Sequence, residues 1–381
     1  ILSQLLHHEA PILPGLVLGN NLLRQFLANL DNSESSDGNL PNSFLDLDVD
    51  NYQTLQLVAS RSRRIINQTV FPQKWQTKIF QAAQQLNSDS LLLQPFVTLP
   101  YRQHKGSRGM WRSHTCSANP EALATAIKLV WSELFTASSL FYWYKLGLSS
   151  EQIDLAVLIR PLKTAYASGI VEVASDLVRI KASWGLEHSL LQGDVEPDEY
   201  YVDRKTGYIL SRHLGHKNYA YRPKKNIDPA TPLIDCLEAY IPGETHTETY
   251  VLEQRAIAKL LQLTQIILEK QPQIKYLVWT APEVEDRSIS TPNFYFTQLN
   301  YHLASSTNLL EDQVTQVVLP TSSIQPLLTG LAASPGNVLA KVVVIDDFDT
   351  QPHPLTADCI LVTKTIPPHQ ISLIKQVRGI I

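Results

Sequence analysis

The stretch at 177–195 reads LVRIKASWGLEHSLLQGDV, and Lys181 is the residue in it with chemistry to explain. Leu177 to Ile180 has the pattern of a strand, small residues follow, and a helical run comes next. Such a strand end presents a charged side chain to a ligand. A nucleoside triphosphate with its metal calls for a carboxylate there, because a hard divalent cation takes oxygen ligands. A lysine repels the metal, but it can hold a phosphate as a point charge. Alternatively it sits in a salt bridge, with Glu172 or Glu187 as candidate partners.

Other constellations carry less. His213 and His216 in HLGH, and His114 near Cys116, have metal-like spacing but lack the further ligands of a structural zinc site. Arg102, Lys105 and Arg108, beside Tyr101 and Trp111, form a basic cluster that could grip a phosphate, an acidic protein or RNA, or could simply be a solvated loop. RSRR at 61–64 falls on a helix and reads as its wet face. The chain has neither a GxSxG elbow nor a GxxxxGK[ST] loop.

The elements that must position these residues can be read in order. Residues 1–10 pattern as a helix with Leu2, Leu5 and Leu6 on one face, and 31–43 as a polar loop. Helices are expected over 52–67 and 73–86, then a buried strand in SLLLQPFVTL. Asn119-Pro120-Glu121 starts a helix, with a cap, a proline at the first helical position and an acid at the positive dipole end. That helix reads through to about Lys145, with Gly147 ending it. DLAVLIRPL and LVRIKAS read as consecutive strands, and EYYVDRKTGYILS as a hairpin turning at 205–207. Residues 213–247 read as irregular, 251–270 as an amphipathic helix, and KYLVWTA and NFYFTQL as strands. Beyond 328 the pattern changes to KVVVIDD and CILVTKT, two strands of a separate small domain.

The 381 residues suffice for two or three domains with hydrophobic cores. Thirty-two basic against 36 acidic residues give a net charge of −4, which does not recruit nucleic acid. No apolar run is long enough to cross a bilayer. Three widely spaced cysteines favour reduced thiols and a cytoplasmic location over a disulfide framework. No signal peptide opens the sequence, the only methionine is Met110, and both termini fall within patterned stretches, so both ends read as cut.

Three segments, in order, resemble the phosphoenolpyruvate synthase and pyruvate phosphate dikinase family: PILPGLVLGNNLLRQFL, ASWGLEHSLLQGDVEPDEYYVDRKTG and LAASPGNVLAKVVVIDD…DCILVTKTIPP. The resemblance implies an α/β fold, an ATP-grasp-like two-lobed nucleotide-binding domain followed by part of a small swivelling β/β/α domain. The implied division is 1–325, with a lobe boundary near 90–100 and an irregular insert at 213–247, then 326–381 as the start of the phosphohistidine domain. Catalysis in that family rests on positioning and charge neutralisation around Mg-ATP.

The residues depart from the family at several places where that chemistry is implied, while the phosphate-binding lysine would precede Ile1 and the phosphohistidine would follow Ile381. The phosphate-cradling Arg-Ser-Ser reads Gln94-Pro95-Phe96, and the small acidic lid reads YRQHKGSRGMW. A hinge glutamine reads Arg160, the stretch after Ala-Ser-Gly is shortened to ASGIVEVASDL, and the acid before Ala-Ser-Trp-Gly reads Lys181. Ile-Glu-Trp reads Leu277-Val278-Trp279, and Leu-Gln-x-Arg-Pro keeps Gln298 but loses its arginine. Neither His8 nor His369 stands in the family's phosphohistidine context.

The expectation is a family member with a dismantled ATP and Mg²⁺ site: no catalytic residue, no metal ligand and no cofactor. Its role would be as a binding, regulatory or assembly protein with a protein partner. Arg160, Lys181, Gln192 and Gln298 are the remaining candidates for contact with a nucleotide or small anion, although the two glutamines can equally be structural. Two alternatives stay open: an active ATP-dependent phosphotransferase with rearranged ligands, and a metal-independent nucleotide or phosphate sensor.

Overall fold

The computed structural model describes residues 11–31, 40–41, 44, 46–49, 51–99, 110–228, 230–283, 292–300, 338–345, 358–363, 366 and 377–381. The leading helix at 1–10, the basic cluster at 100–109, most of the 31–43 loop, His8 and His369 lie outside them.

In the first lobe, α1 (Asn20–Asp31), α2 (Tyr52–Gln68) and α3 (Gln73–Gln84) precede the strand β2 (Ser90–Thr98). Strand β2 pairs antiparallel with β3 (His114–Ser117) and with β4 (Asp154–Pro161), and β1 (Leu16–Leu18) adds to the far side of β4. Alternation assigns the two faces of this sheet. Leu91, Leu93, Val157 and Ile159 are fully buried against the helices, whereas Leu92, Gln94, Phe96 and Arg160 face the other way. The lobe boundary expected near 90–100 therefore runs through a central strand. The two large sheets divide between Pro161 and Ala165 instead, because β2 is hydrogen-bonded on both sides within the first.

The Asn119 side chain caps α4 (Pro120–Ser132) as expected, accepting from the Glu121 and Ala122 amides. The single helix expected from there to Lys145 is broken. A 3₁₀ turn at Glu133–Phe135 intervenes, Thr136 is extended (ψ 157°), and α5 (Ala137–Leu146) restarts under the Thr136 cap. The break serves packing, since the Trp143 indole reaches back to the Leu134 carbonyl at 2.8 Å and Ser139 to that of Glu133. Gly147 ends α5 in the left-handed conformation (φ 66°).

The second lobe is a six-stranded antiparallel sheet in the order β12-β11-β5-β6-β7-β8. These strands are β5 (Ala165–Val173), β6 (Leu177–Trp184), β7 (Asp198–Asp203), β8 (Ile209–His213), β11 (Tyr276–Pro282) and β12 (Tyr295–Asn300). Thus DLAVLIRPL and LVRIKAS are not consecutive strands: β5 lies between them in the chain and is central in this sheet. The helix α8 (Gln254–Lys270) covers one face with Ala256, Ile257, Leu260 and Ile267 against Val171, Ile180, Ala182, Leu277 and Trp279. Gly169 lets the chains close up: a β-carbon there would lie 1.9 Å from the Lys181 carbonyl oxygen and 2.5 Å from the Trp279 ring.

The 213–247 segment also departs from its irregular reading. β9 (Ala220–Pro223) and β10 (Leu237–Tyr240) pair antiparallel, and the Arg222–Glu238 ion pair joins them. Between β6 and β7 lies the short α6 (His188–Gln192), and α7 (Glu244–Thr247) follows β10. Beyond 328, the two strands read from sequence, β13 (Lys341–Ile345) and β14 (Cys359–Thr363), form a parallel sheet with a third, β15 (Gly379–Ile380), over Ile345 and Leu361. No described helix is long and apolar enough to cross a membrane.

Candidate functional site

The cleft face of the six-stranded sheet is ordered by strand register. One row crosses it as Gln298, Val278, Ile170, Lys181, Glu199, each paired with the next across adjacent strands. The next row carries Tyr276, Glu172, Arg179 and Tyr201. At ~4.8 Å per strand, Lys181 and Gln298 share a row but stand roughly 14 Å apart. The sequence singled out Lys181 and Gln298 in this row, whereas what lies between and beside them depends on which strands become neighbours.

The charges on this face are matched to one another. Arg179 reaches Glu172 at 3.5 Å and also hydrogen-bonds Glu199, while Lys181 lies 4.0 Å from Glu172. Of the two partners weighed for Lys181, Glu172 is the one within reach. Burial pushes the Glu199 carboxyl up, but the Arg179 charge, hydrogen bonds from Arg179 and Tyr201, and the Lys181 charge outweigh it and hold the group below its ordinary value. Tyr201 is pushed up to about 12 by burial and by the carboxylate it donates to. Glu199 is therefore held ionised by protein cations, and Glu172 is ion-paired with Arg179 and Lys181.

Arg160 is only 2% exposed, and its Nη2 donates to Glu187 at 2.8 Å, with Nε left unpartnered. Arg160 comes from β4 in the first lobe and Glu187 from the turn between β6 and α6, so this buried ion pair bridges the two sheets.

A cavity of about 320 Å³ lies between the sheets. Leu92, Gln94 and Phe96 contribute from the first sheet, Ile170, Tyr276 and Gln298 from the second, and Glu187, His188, Leu191, Gln192 and Trp111 are also among the lining residues. The structure therefore brings Gln192 and Gln298 to one cavity. Arg160 meets the wall only through Glu187, and Lys181 is absent from the lining. His188, also in the wall, is held below its ordinary value by burial and packs edge-on against Tyr221 at 4.6 Å. Gln94, 3% exposed with an unpartnered Oε1, was read from sequence only as a lost arginine.

The implied Mg²⁺ does not fit this arrangement. The carboxylates in the two rows are engaged by Arg179 and Lys181, and no described group of three His, Cys, Asp or Glu could hold a metal. The histidines with metal-like spacing have other partners: His213 and His216 both meet Glu196, and His114 meets Glu133 at 3.0 Å. Cys116, Cys236 and Cys359 are free and buried, and burial raises the first two thiols.

Away from the cleft, Asp198 and Lys217 form a fully buried ion pair. Asp198 also accepts from the Gly215 and Val251 amides, tying three segments together. Sequence reading kept the Pro-Asp-Glu-Tyr motif without a role for Asp198, whose partners are distant along the chain.

The chain is similar to several curated proteins. A probable phosphoenolpyruvate synthase of Methanothermobacter thermautotrophicus is 24% identical over 346 residues, covering 88% of this chain and 47% of that protein. The phosphoenolpyruvate synthase of Pyrococcus furiosus is 23% identical, over 88% of this chain and 41% of its own. A probable phosphoenolpyruvate synthase of Archaeoglobus fulgidus is 23% identical, over 100% of this chain and 49% of its own. The chain thus spans less than half the length of each of these three. Residues 2–271 match the family model described as pyruvate phosphate dikinase, AMP/ATP-binding domain. On that match, with the two-lobed α/β architecture around the cleft, the chain belongs to the phosphoenolpyruvate synthase and pyruvate phosphate dikinase family.

Proposed function

We propose that this chain keeps the family's nucleotide-binding fold but not its phosphoryl transfer, and that it acts as a binding or regulatory protein. The observation that carries this reading is the charge matching on the cleft face. Glu172 and Glu199 are the acids nearest the row where Lys181 replaces a carboxylate, and Arg179 and Lys181 already engage them. A metal would have to displace two cations from groups that burial has already desolvated, and the gain would have to exceed that loss. The apolar Val278 in the same row and Gln94 in place of an arginine point the same way. The parallel sheet β13-β14-β15 supports reading 326–381 as the start of a swivelling domain attached to an ATP-grasp unit at 1–325.

The test is calorimetric titration of the chain with ATP, with and without Mg²⁺. Absence of magnesium-dependent binding is the expected result. Magnesium-dependent binding would overturn the reading and favour an active ATP-dependent phosphotransferase, in line with relatives named phosphoenolpyruvate synthase.

A further inference from the structure

We propose that the cavity between the sheets is a binding site for an uncharged, planar ligand carrying a hydrogen-bond donor, of which an aromatic carboxamide is the simplest kind. The proposal rests on the reading that the ATP and metal site is dismantled, and adds what the same cleft would take instead.

Three observations define the ligand. The first is shape: about 320 Å³ is at the small end of ligand pockets, enough for one ring or a fused pair. Leu92, Phe96, Ile170 and Leu191 supply an apolar wall, and Trp111 spends its indole N–H on Ser139, leaving ring surface for the cavity.

The second is charge. Glu187, the carboxylate in the described wall, is already paired with Arg160. His188 is kept toward its neutral form by burial, and Lys181 sits at Glu172, outside the lining. The described lining residues offer an entering anion no cation to match its lost hydration, and it would approach a carboxylate. A neutral ligand avoids both costs.

The third is an unmet hydrogen bond. Gln94 lines the cavity, is 97% buried by its 3% exposure, and its Oε1 has no partner. A buried acceptor left unpaired is costly, and a ligand N–H placed against it recovers that loss on binding. A carboxamide suits the site because it pairs reciprocally with a glutamine amide in either orientation. Gln192 and Gln298 in the same wall offer further donors and acceptors.

The experiment is a ligand-observed NMR titration of the full chain with benzamide and benzoate, which share a shape and differ in charge and in the N–H donor. Benzamide is expected to bind at least about tenfold more tightly than benzoate. In Gln94→Leu, benzamide affinity is expected to fall about tenfold with no loss of thermal stability, since the substitution removes an unsatisfied buried group. Gln94→Arg is expected to reverse the preference toward benzoate. Equal or tighter benzoate binding, no benzamide binding to the folded chain, or an unchanged affinity in Gln94→Leu would overturn the proposal. Those failures differ from failure of the underlying reading, which is reported separately by magnesium-dependent ATP binding to the same sample.

Discussion

Lys181 shows how a residue's meaning depends on what faces it. Alone it is a phosphate contact or a salt bridge; in the sheet it shares Glu172 with Arg179, and its charge helps keep Glu199 ionised. Lys181→Glu is therefore expected to give no detectable phosphoryl transfer from ATP, because Gln94 and Val278 would still stand where the arginine and second carboxylate belong. A coupled assay for nucleotide turnover checks this. Arg179 supports a prediction with a pH signature. Glu199 has a depressed carboxyl pKa in the fold, so its contribution is present above its ordinary value of 4.5 and is lost as pH falls through the folded value. Thermal melts at a series of pH values should show wild type losing stability below about pH 4.5, as acid protonates this group. Arg179→Met should be less stable at neutral pH and show a shallower acid loss.

At the scale of elements, local pattern succeeded where local forces decide. The Asn119 cap, the Gly147 stop, the helix over 251–270 and the 205–207 turn all follow from short-range backbone chemistry. It failed where packing overrules propensity. The 119–145 run scores as one helix, yet Trp143 and Ser139 fold back onto carbonyls of the preceding turn and break it. The stretch 165–173 carries no strand reading in the sequence beyond its shortened family segment, yet it forms β5, where Gly169 permits the close approach of Lys181 and Trp279. Gly169→Ala should lower the unfolding free energy by more than about 3 kcal/mol, since backbone as well as side chain must shift. The Asp198–Lys217 pair gives the second prediction at this scale. Asp198→Ala leaves a fully buried lysine uncompensated and should cost about 3–5 kcal/mol in urea denaturation.

For the whole molecule, the decisive contact is Arg160–Glu187, a buried pair that joins the first sheet to the turn beside the second. Arg160→Met is expected to destabilise the chain by about 3–5 kcal/mol, because Glu187 is then buried without its cation. Arg160→Met combined with Glu187→Leu should recover much of that, and a denaturation cycle over the four proteins measures the coupling. From sequence alone came the family, the α/β class and the order of most helices and strands. Those follow from short motifs and from periodicity, which the linear chain carries in full. Only the tertiary structure decided that the sheets divide at 161–165, that Lys181 lies in one row with Gln298 but far from it, and that Glu172 and Glu199 share Arg179. It also decided that Gln94, read as a mere loss, is a buried amide facing a cavity. Each of these depends on strand order and on contacts between residues distant along the chain. Their energies exist only once the sheets have formed, so no local stretch of sequence displays them.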